Sequence, residues 1–147
     1  CSDNFKQTLV VPGNHEYYSG YDVRKLGGEF SLNVRDNVRY VNNKVVTIDE
    51  VDIILSTLWA HIRIEDAFIT EHSINDFRRI ICNGEKLTFS MFNQLHEESL
   101  LFLKQAVKDS STQKKVVVSH HLPSHLLVEE QFRGSHLNGA FISKQGN

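Results

Sequence analysis

A chain of 147 residues, 40% hydrophobic and 23% charged, has the length and balance of one globular domain or of part of a larger one. A formal charge of -2 gives no electrostatic reason to expect a nucleic-acid backbone or an acidic membrane as the main partner. A nucleic acid stays admissible only as a substrate. No apolar run is long enough to span a bilayer, and the opening residues do not read as a secretory leader.

In chain order, Leu9-Val10-Val11 ahead of Pro12-Gly13 predicts a short buried strand. From residues 21 to 34, Val23, Leu26, Phe30 and Val34 recur at mostly three- and four-residue spacing, which predicts a helix broken at Gly27-Gly28. Residues 38–41 and 44–48 are β-rich and joined by Asn42-Asn43, which predicts a two-residue hairpin. Residues 51–58 predict a further strand. Residues 62–82 offer helical spacing through Ile64, Ala67, Phe68, Ile74, Phe77 and Ile81, interrupted over 70–75, and Asn83-Gly84 is a turn. Residues 88–108 predict the clearest helix, with Phe92, Leu95, Phe102, Leu103, Ala106 and Val107 mainly on one face. After the polar loop 109–113, residues 115–119 predict a second buried strand that ends at His120-His121. The tail from Leu122 reads as loops. No repeat or linker divides the chain, and strands alternating with helices predict a single α/β domain with mixed sheets.

Cys1 and Cys82 have neither zinc-type spacing nor a disulfide framework, and no Asn-x-Ser/Thr sequon occurs. The expected setting is reducing and cytoplasmic. Cys1 in place of Met at the first position implies a processed chain or a piece of a longer one.

Two strand ends carry potential ligands: Asn14-His15 after the first strand and His120-His121 after the last. Chemistry in α/β sheets gathers beyond the carboxyl ends of strands. If the two strands were parallel neighbours, the clusters would meet at one sheet edge. Gly13-Asn14 alone suits a tight turn, because both residues tolerate positive φ. Pro12, His15, Glu16 and the downstream histidines tip the balance towards function. An Asn offers a metal ion a neutral hard oxygen, and the adjacent imidazole can donate to an anion. Side chains alternate along extended backbone, so at most one of His120 and His121 faces a metal while the other turns to substrate or to the packing behind.

Elsewhere Trp59 reads as core, His61 as surface, and Arg78, Arg79 and Arg133 as solvated. His72, His96 and His125 show no partner pattern. A Ser or Cys nucleophile is disfavoured, with no Gly-x-Ser-x-Gly elbow and no activating context at either cysteine.

Gly13-Asn14-His15-Glu16 after an apolar strand resembles the third signature block of the calcineurin-like metallophosphoesterases. The segment from Val116 to Ser124, Val-Val-Val-Ser-His-His-Leu-Pro-Ser, resembles their fourth, and the spacing between the two is also similar. Thr57-Leu58-Trp59 and Asn75-Asp76-Phe77-Arg78 further resemble a bacterial, uncharacterised branch of that family. The resemblance implies a four-layer α/β/β/α sandwich with mixed sheets and two divalent metal ions (Mn, Fe or Zn) at strand ends. It implies hydrolysis of a phosphate mono- or diester by a hydroxide that the two metals activate. Asn14 and His120 then match ligands of one metal ion, and His15 matches the non-ligating His that touches the phosphoryl group. Glu16 matches a position that orders the loop, and His121 is a substrate-side neighbour.

The family's Asp-x-His, Gly-Asp and Gly-His-x-His blocks do not occur in residues 1–147, and Gly134-Ser135-His136-Leu137 lacks the paired imidazoles. The chain is therefore expected to be the central part of a longer domain, inactive alone and with uncovered sheet edges. The alternative is a non-catalytic scaffold or interaction protein that keeps the fold without a complete metal site. Substrate choice falls to loops 17–24 and 59–79, which carry no readable code, and the oligomeric state has no signature.

Overall fold

The computed structural model describes residues 3–26 and 29–143. Its strands are β1 (Thr8–Val10), β2 (Phe30–Arg35), β3 (Val38–Asn42), β4 (Lys44–Ile48), β5 (Val51–Ser56), β6 (Ile81–Cys82), β7 (Glu85–Lys86) and β8 (Lys114–Ser119). Among the described residues four α-helices accompany them: α1 (Val23–Leu26), α2 (Ala67–Ser73), α3 (Asp76–Arg79) and α4 (Phe89–Asp109).

The strands form two mixed three-stranded sheets, in the orders β1-β3-β2 and β4-β5-β8, beside a small β6-β7 hairpin. β1 runs parallel to β3, and β8 runs parallel to β5, with Ser56 opposite Ser119 at the end of the ladder. β3 contacts β5 and α4 lies against β5, so sheets and helix make the α/β arrangement that the sequence pattern predicts.

Two elements differ from the sequence reading. The predicted helix over residues 21–34 is only α1, and Phe30 to Arg35 form β2; Gly27-Gly28 lie outside the described residues. Phe30, Leu32 and Val34 also satisfy a period of two, and pairing with β3 decides between the periods.

The predicted hairpin across Asn42-Asn43 does not form either, because β3 and β4 belong to different sheets. The hairpins sit one strand away on each side, β2–β3 and β4–β5. Asp49 and Glu50, both at positive φ (48° and 62°), make the second turn. Asn43 has the left-handed φ (46°) that its residue type favours, but uses it to carry the chain from one sheet to the other.

The core cluster contains Tyr17, Val23, Trp59, Ile62, Phe77, Ile80, Leu87, Phe92 and Leu95. Trp59 meets Phe92 edge-on at 5.3 Å between ring centroids, a favoured arrangement of aromatic quadrupoles. α4 supplies Phe92, Leu95, His96, Ser99 and Ala106 to the interior. It starts where the Thr88 hydroxyl accepts the Met91 N–H at 3.3 Å. Val107, expected on the buried face, is exposed. β8 departs further: Val116 and Val117 are 48% and 51% exposed, where their unbroken apolar run predicts burial. β8 pairs only with β5 and is an edge strand among the described residues, so its other edge has no strand beside it there, and its valines are only about half covered.

Candidate metal centre

Four chain segments meet around Thr57, just past the end of β5. Its hydroxyl donates to the Pro12 carbonyl (2.8 Å), and its N–H donates to Asn42 Oδ1 (2.7 Å). Its carbonyl accepts the His121 N–H (3.2 Å). Ser56 Oγ donates to Asn43 Oδ1 (2.7 Å), so the Asn42-Asn43 pair holds the exit of β5 instead of turning a hairpin. These bonds are buried, where an unmade partner costs about 1–3 kcal/mol. They bring the ends of β1 and β8 together although the two strands lie in different sheets.

Gly13 leaves β1 in extended conformation (φ -93°), and a 3-10 turn follows over Asn14–Ser19. Neither Gly13 nor Asn14 uses positive φ, so turn chemistry does not account for the dipeptide. Close approach does. A Cβ on residue 13 would lie 2.4 Å from Cε1 of His120 and 2.7 Å from both ring nitrogens. The Glu16 carboxylate accepts the Gly13 N–H at 2.6 Å and fixes the loop's entry, the ordering role expected of that position.

Asn14 and His120 face one another: His120 Nε2–H donates to Asn14 Oδ1 at 3.0 Å. The other end of the Asn14 amide is held. Its Nδ2 donates to both oxygens of the Asp76 carboxylate, at 2.9 and 3.0 Å. Tyr18 donates its hydroxyl to the same carboxylate, and Arg79 lies over the Tyr18 ring at 5.3 Å. Burial pushes the Tyr18 phenol well above its ordinary range, and its bond to Asp76 reinforces the protonated form. Asp76 itself is 1% exposed.

Desolvation, the ring lying against the Gly13 backbone, lowers the His120 pKa, and the nearby His15 lowers it further; Glu16 and Asp76 oppose the shift. His120 thus tends towards the neutral form that a metal ligand must have. His15 is exposed at the same end, its ring 4.5 Å from that of Tyr18.

His121 lies elsewhere. The expectation of a substrate-side neighbour meets a ring that is 4% exposed, between Trp59 (5.6 Å) and Phe92 (6.2 Å). Alternation along the strand exit turns it inward, with its plane 87° from that of His120. Burial lowers its pKa to about 3, which keeps it neutral.

Two of the remaining histidines have polar partners that sequence spacing could not reveal. His96 is buried and donates from Nδ1 to the Trp59 carbonyl (2.6 Å), and His136 pairs with Asp66 (2.8 Å). Burial raises the Cys82 thiol pKa, the reverse of an activated nucleophile.

The donor set suits a divalent ion. Amide oxygen and imidazole nitrogen favour manganese, iron or zinc over a thiolate-seeking metal. The 3.0 Å between Asn14 Oδ1 and His120 Nε2 is an ordinary hydrogen-bond separation, and it is close enough that both atoms could reach one ion at about 2.1 Å with a small side-chain adjustment. Among the described residues no three His, Cys, Asp or Glu side chains gather as a metal-ligating group. Asn14 and His120 thus bring together two donor atoms of types that metal ions accept, without a third beside them among the described residues. Asp76 and Tyr18 escaped the sequence reading as site residues; the only signal was that Asp76 falls in the Asn75-Asp76-Phe77-Arg78 block.

The family described as calcineurin-like phosphoesterase matches residues 2–143, and the chain belongs to that family. An uncharacterized protein of Acanthamoeba polyphaga mimivirus is 28% identical over 129 residues, covering 81% of this chain and 46% of the relative. The chain thus spans about half the length of that curated relative. No solved structure matches the chain. No helix among the described residues is long and apolar enough to cross a membrane.

Proposed function

We propose that this chain contributes the Asn14–His15–His120 part of a phosphoesterase centre that hydrolyses a phosphate mono- or diester with two divalent metal ions. The observation that carries the reading is the 3.0 Å approach of Asn14 Oδ1 to His120 Nε2, at the exits of strands from two different sheets. Asn14 and His120 hold one ion. When bound, the ions neutralise phosphoryl charge and acidify a water nucleophile. His15, exposed beside the pair, donates a hydrogen bond to a phosphoryl oxygen or to the leaving group. Glu16 keeps the loop in register through Gly13.

Residues 1–147 act in this proposal as the central part of a longer phosphoesterase domain. The exposed apolar face of β8 is in keeping with that.

The test is cleavage of an aryl phosphodiester and an aryl phosphomonoester by the full-length polypeptide with manganese or zinc. Chelator abolishes turnover, and His15→Ala lowers it by about 10²–10⁴-fold, the usual worth of a positioned acid. Turnover indifferent to both would defeat the proposal. Absence of both metal binding and turnover would favour the non-catalytic scaffold.

A further inference from the structure

Asn is an ambiguous metal ligand. Its amide can present either the oxygen or the NH2 group in nearly the same space, and only the oxygen can hold a cation. Something must choose, and the structure contains a group suited to choosing. The Asp76 carboxylate can only accept, and both its oxygens take up the Asn14 Nδ2 at 2.9 and 3.0 Å. A flipped Asn14 would set its oxygen against two carboxylate oxygens in a part-buried site, with no donor between them. An Asn at position 76 would not discriminate, because its own amide could turn to match either orientation.

Asp76 is itself fixed. Tyr18 donates to it, and its backbone carbonyl accepts the Ile80 N–H (2.8 Å) at the start of α3. α3 packs against the 3-10 turn that carries Asn14. Arg79 lies over the face of the Tyr18 ring, 5.3 Å from its centroid. The chain of contacts runs Arg79, Tyr18, Asp76, Asn14, His120.

We propose that Asp76 is a positioning residue for the metal centre: it locks the Asn14 amide with its oxygen towards His120, with Tyr18 as the clamp on Asp76. This rests on the assignment of Asn14 and His120 as metal ligands. It adds a part of the site, on a segment 62 residues away in sequence, that explains why the Asn75-Asp76-Phe77-Arg78 block belongs with the Gly-Asn-His-Glu block.

The experiment measures Mn2+ affinity of the purified full-length protein by calorimetry, well below the melting temperature of each variant. Asp76→Asn is expected to weaken Mn2+ binding by about 10–100-fold, the usual cost of losing a partner that orients a metal ligand. Tyr18→Phe weakens it less. Asn14→Asp alone sets two carboxylates face to face. The swap of Asn14→Asp with Asp76→Asn restores one donor facing acceptors and recovers most of the affinity.

A merely structural role would lower the melting temperature of Asp76→Asn and leave the affinity of the folded protein unchanged, and that result overturns the proposal. So does a swap that binds no better than Asp76→Asn. If Asp76→Asn does not fold, Tyr18→Phe and the swap decide by the same criteria. Wild-type protein that binds no Mn2+ refutes the metal-ligand assignment and the positioning role with it. Wild-type binding with indifferent variants refutes the positioning role alone.

Discussion

Gly13→Ala tests the close approach of the His120 ring to the Gly13 backbone. The new methyl carbon would stand 2.4 Å from His120 Cε1 and 2.7 Å from both ring nitrogens, where ordinary contact begins at 3.4 Å. The imidazole therefore has to retreat by about 1 Å, a displacement of the size that overpacking forces elsewhere. Because the His120 side is open, it can swing outward, and the stability cost falls near the low end of the 1–3 kcal/mol usual for overpacking, about 1 kcal/mol. In a domain of this size that lowers Tm by about 2–4 °C. The Asn14–His120 separation of 3.0 Å, in contrast, opens to roughly 4 Å, beyond hydrogen-bond reach and beyond the spacing of adjacent ligands on one ion. Calorimetric titration with Mn2+ should show affinity lowered by at least about 10-fold, as for other displaced ligand supports, with the thermal melt little changed. Wild-type affinity in Gly13→Ala would show that the His120 ring need not occupy this place to bind, and would refute the reasoning.

Thr57→Val keeps the shape of the side chain and strands the buried Pro12 carbonyl; it should cost about 1–3 kcal/mol in urea denaturation, and a cost near zero would contradict the stapling of β1 to β5. Thr88→Ala removes the N-cap of α4 and should cost about 1 kcal/mol with Mn2+ affinity unchanged, so a matching loss of affinity would count against the separation of scaffold from site. His96 gives a pH dependence: burial holds its folded pKa below the ordinary 6.5. The folded state then stays neutral where the unfolded chain takes up a proton, so stability falls as pH drops below about 6.5, until the folded pKa is passed. Urea midpoints at pH 7.5 and 5.5 should show this fall, and His96→Gln should reduce it; an unchanged fall would remove His96 as a cause.

The elements that the sequence announced are those whose local pattern and tertiary role agree. β5 is a bounded apolar run, and α4 combines a Thr88 cap with a one-sided apolar stripe. Residues 30–35 failed because Phe30 and Val34 fit both periods, and only pairing with β3 selects the strand. Asn42-Asn43 failed differently: the left-handed Asn43 was foreseeable, but its use as a crossing between sheets depends on Ser56 and Thr57 bonding to the two amides. Val116 to Val118 recorded what a strand is built to bury, not what lies over it. At the site, Asn14 and His120 announced themselves by standing at strand exits, and alternation foretold that only one of the two histidines would share their side. Asp76 and Tyr18 act through contacts made by folding, and no local pattern marks an acceptor that serves an amide 62 residues away.

The most direct test of the account is anomalous diffraction from crystals of the full-length protein grown with Mn2+. The account predicts a manganese peak about 2.0–2.4 Å from both Asn14 Oδ1 and His120 Nε2, with Asn14 Nδ2 still on Asp76. A manganese ion bound elsewhere, with Asn14 and His120 still bonded to each other, would contradict it.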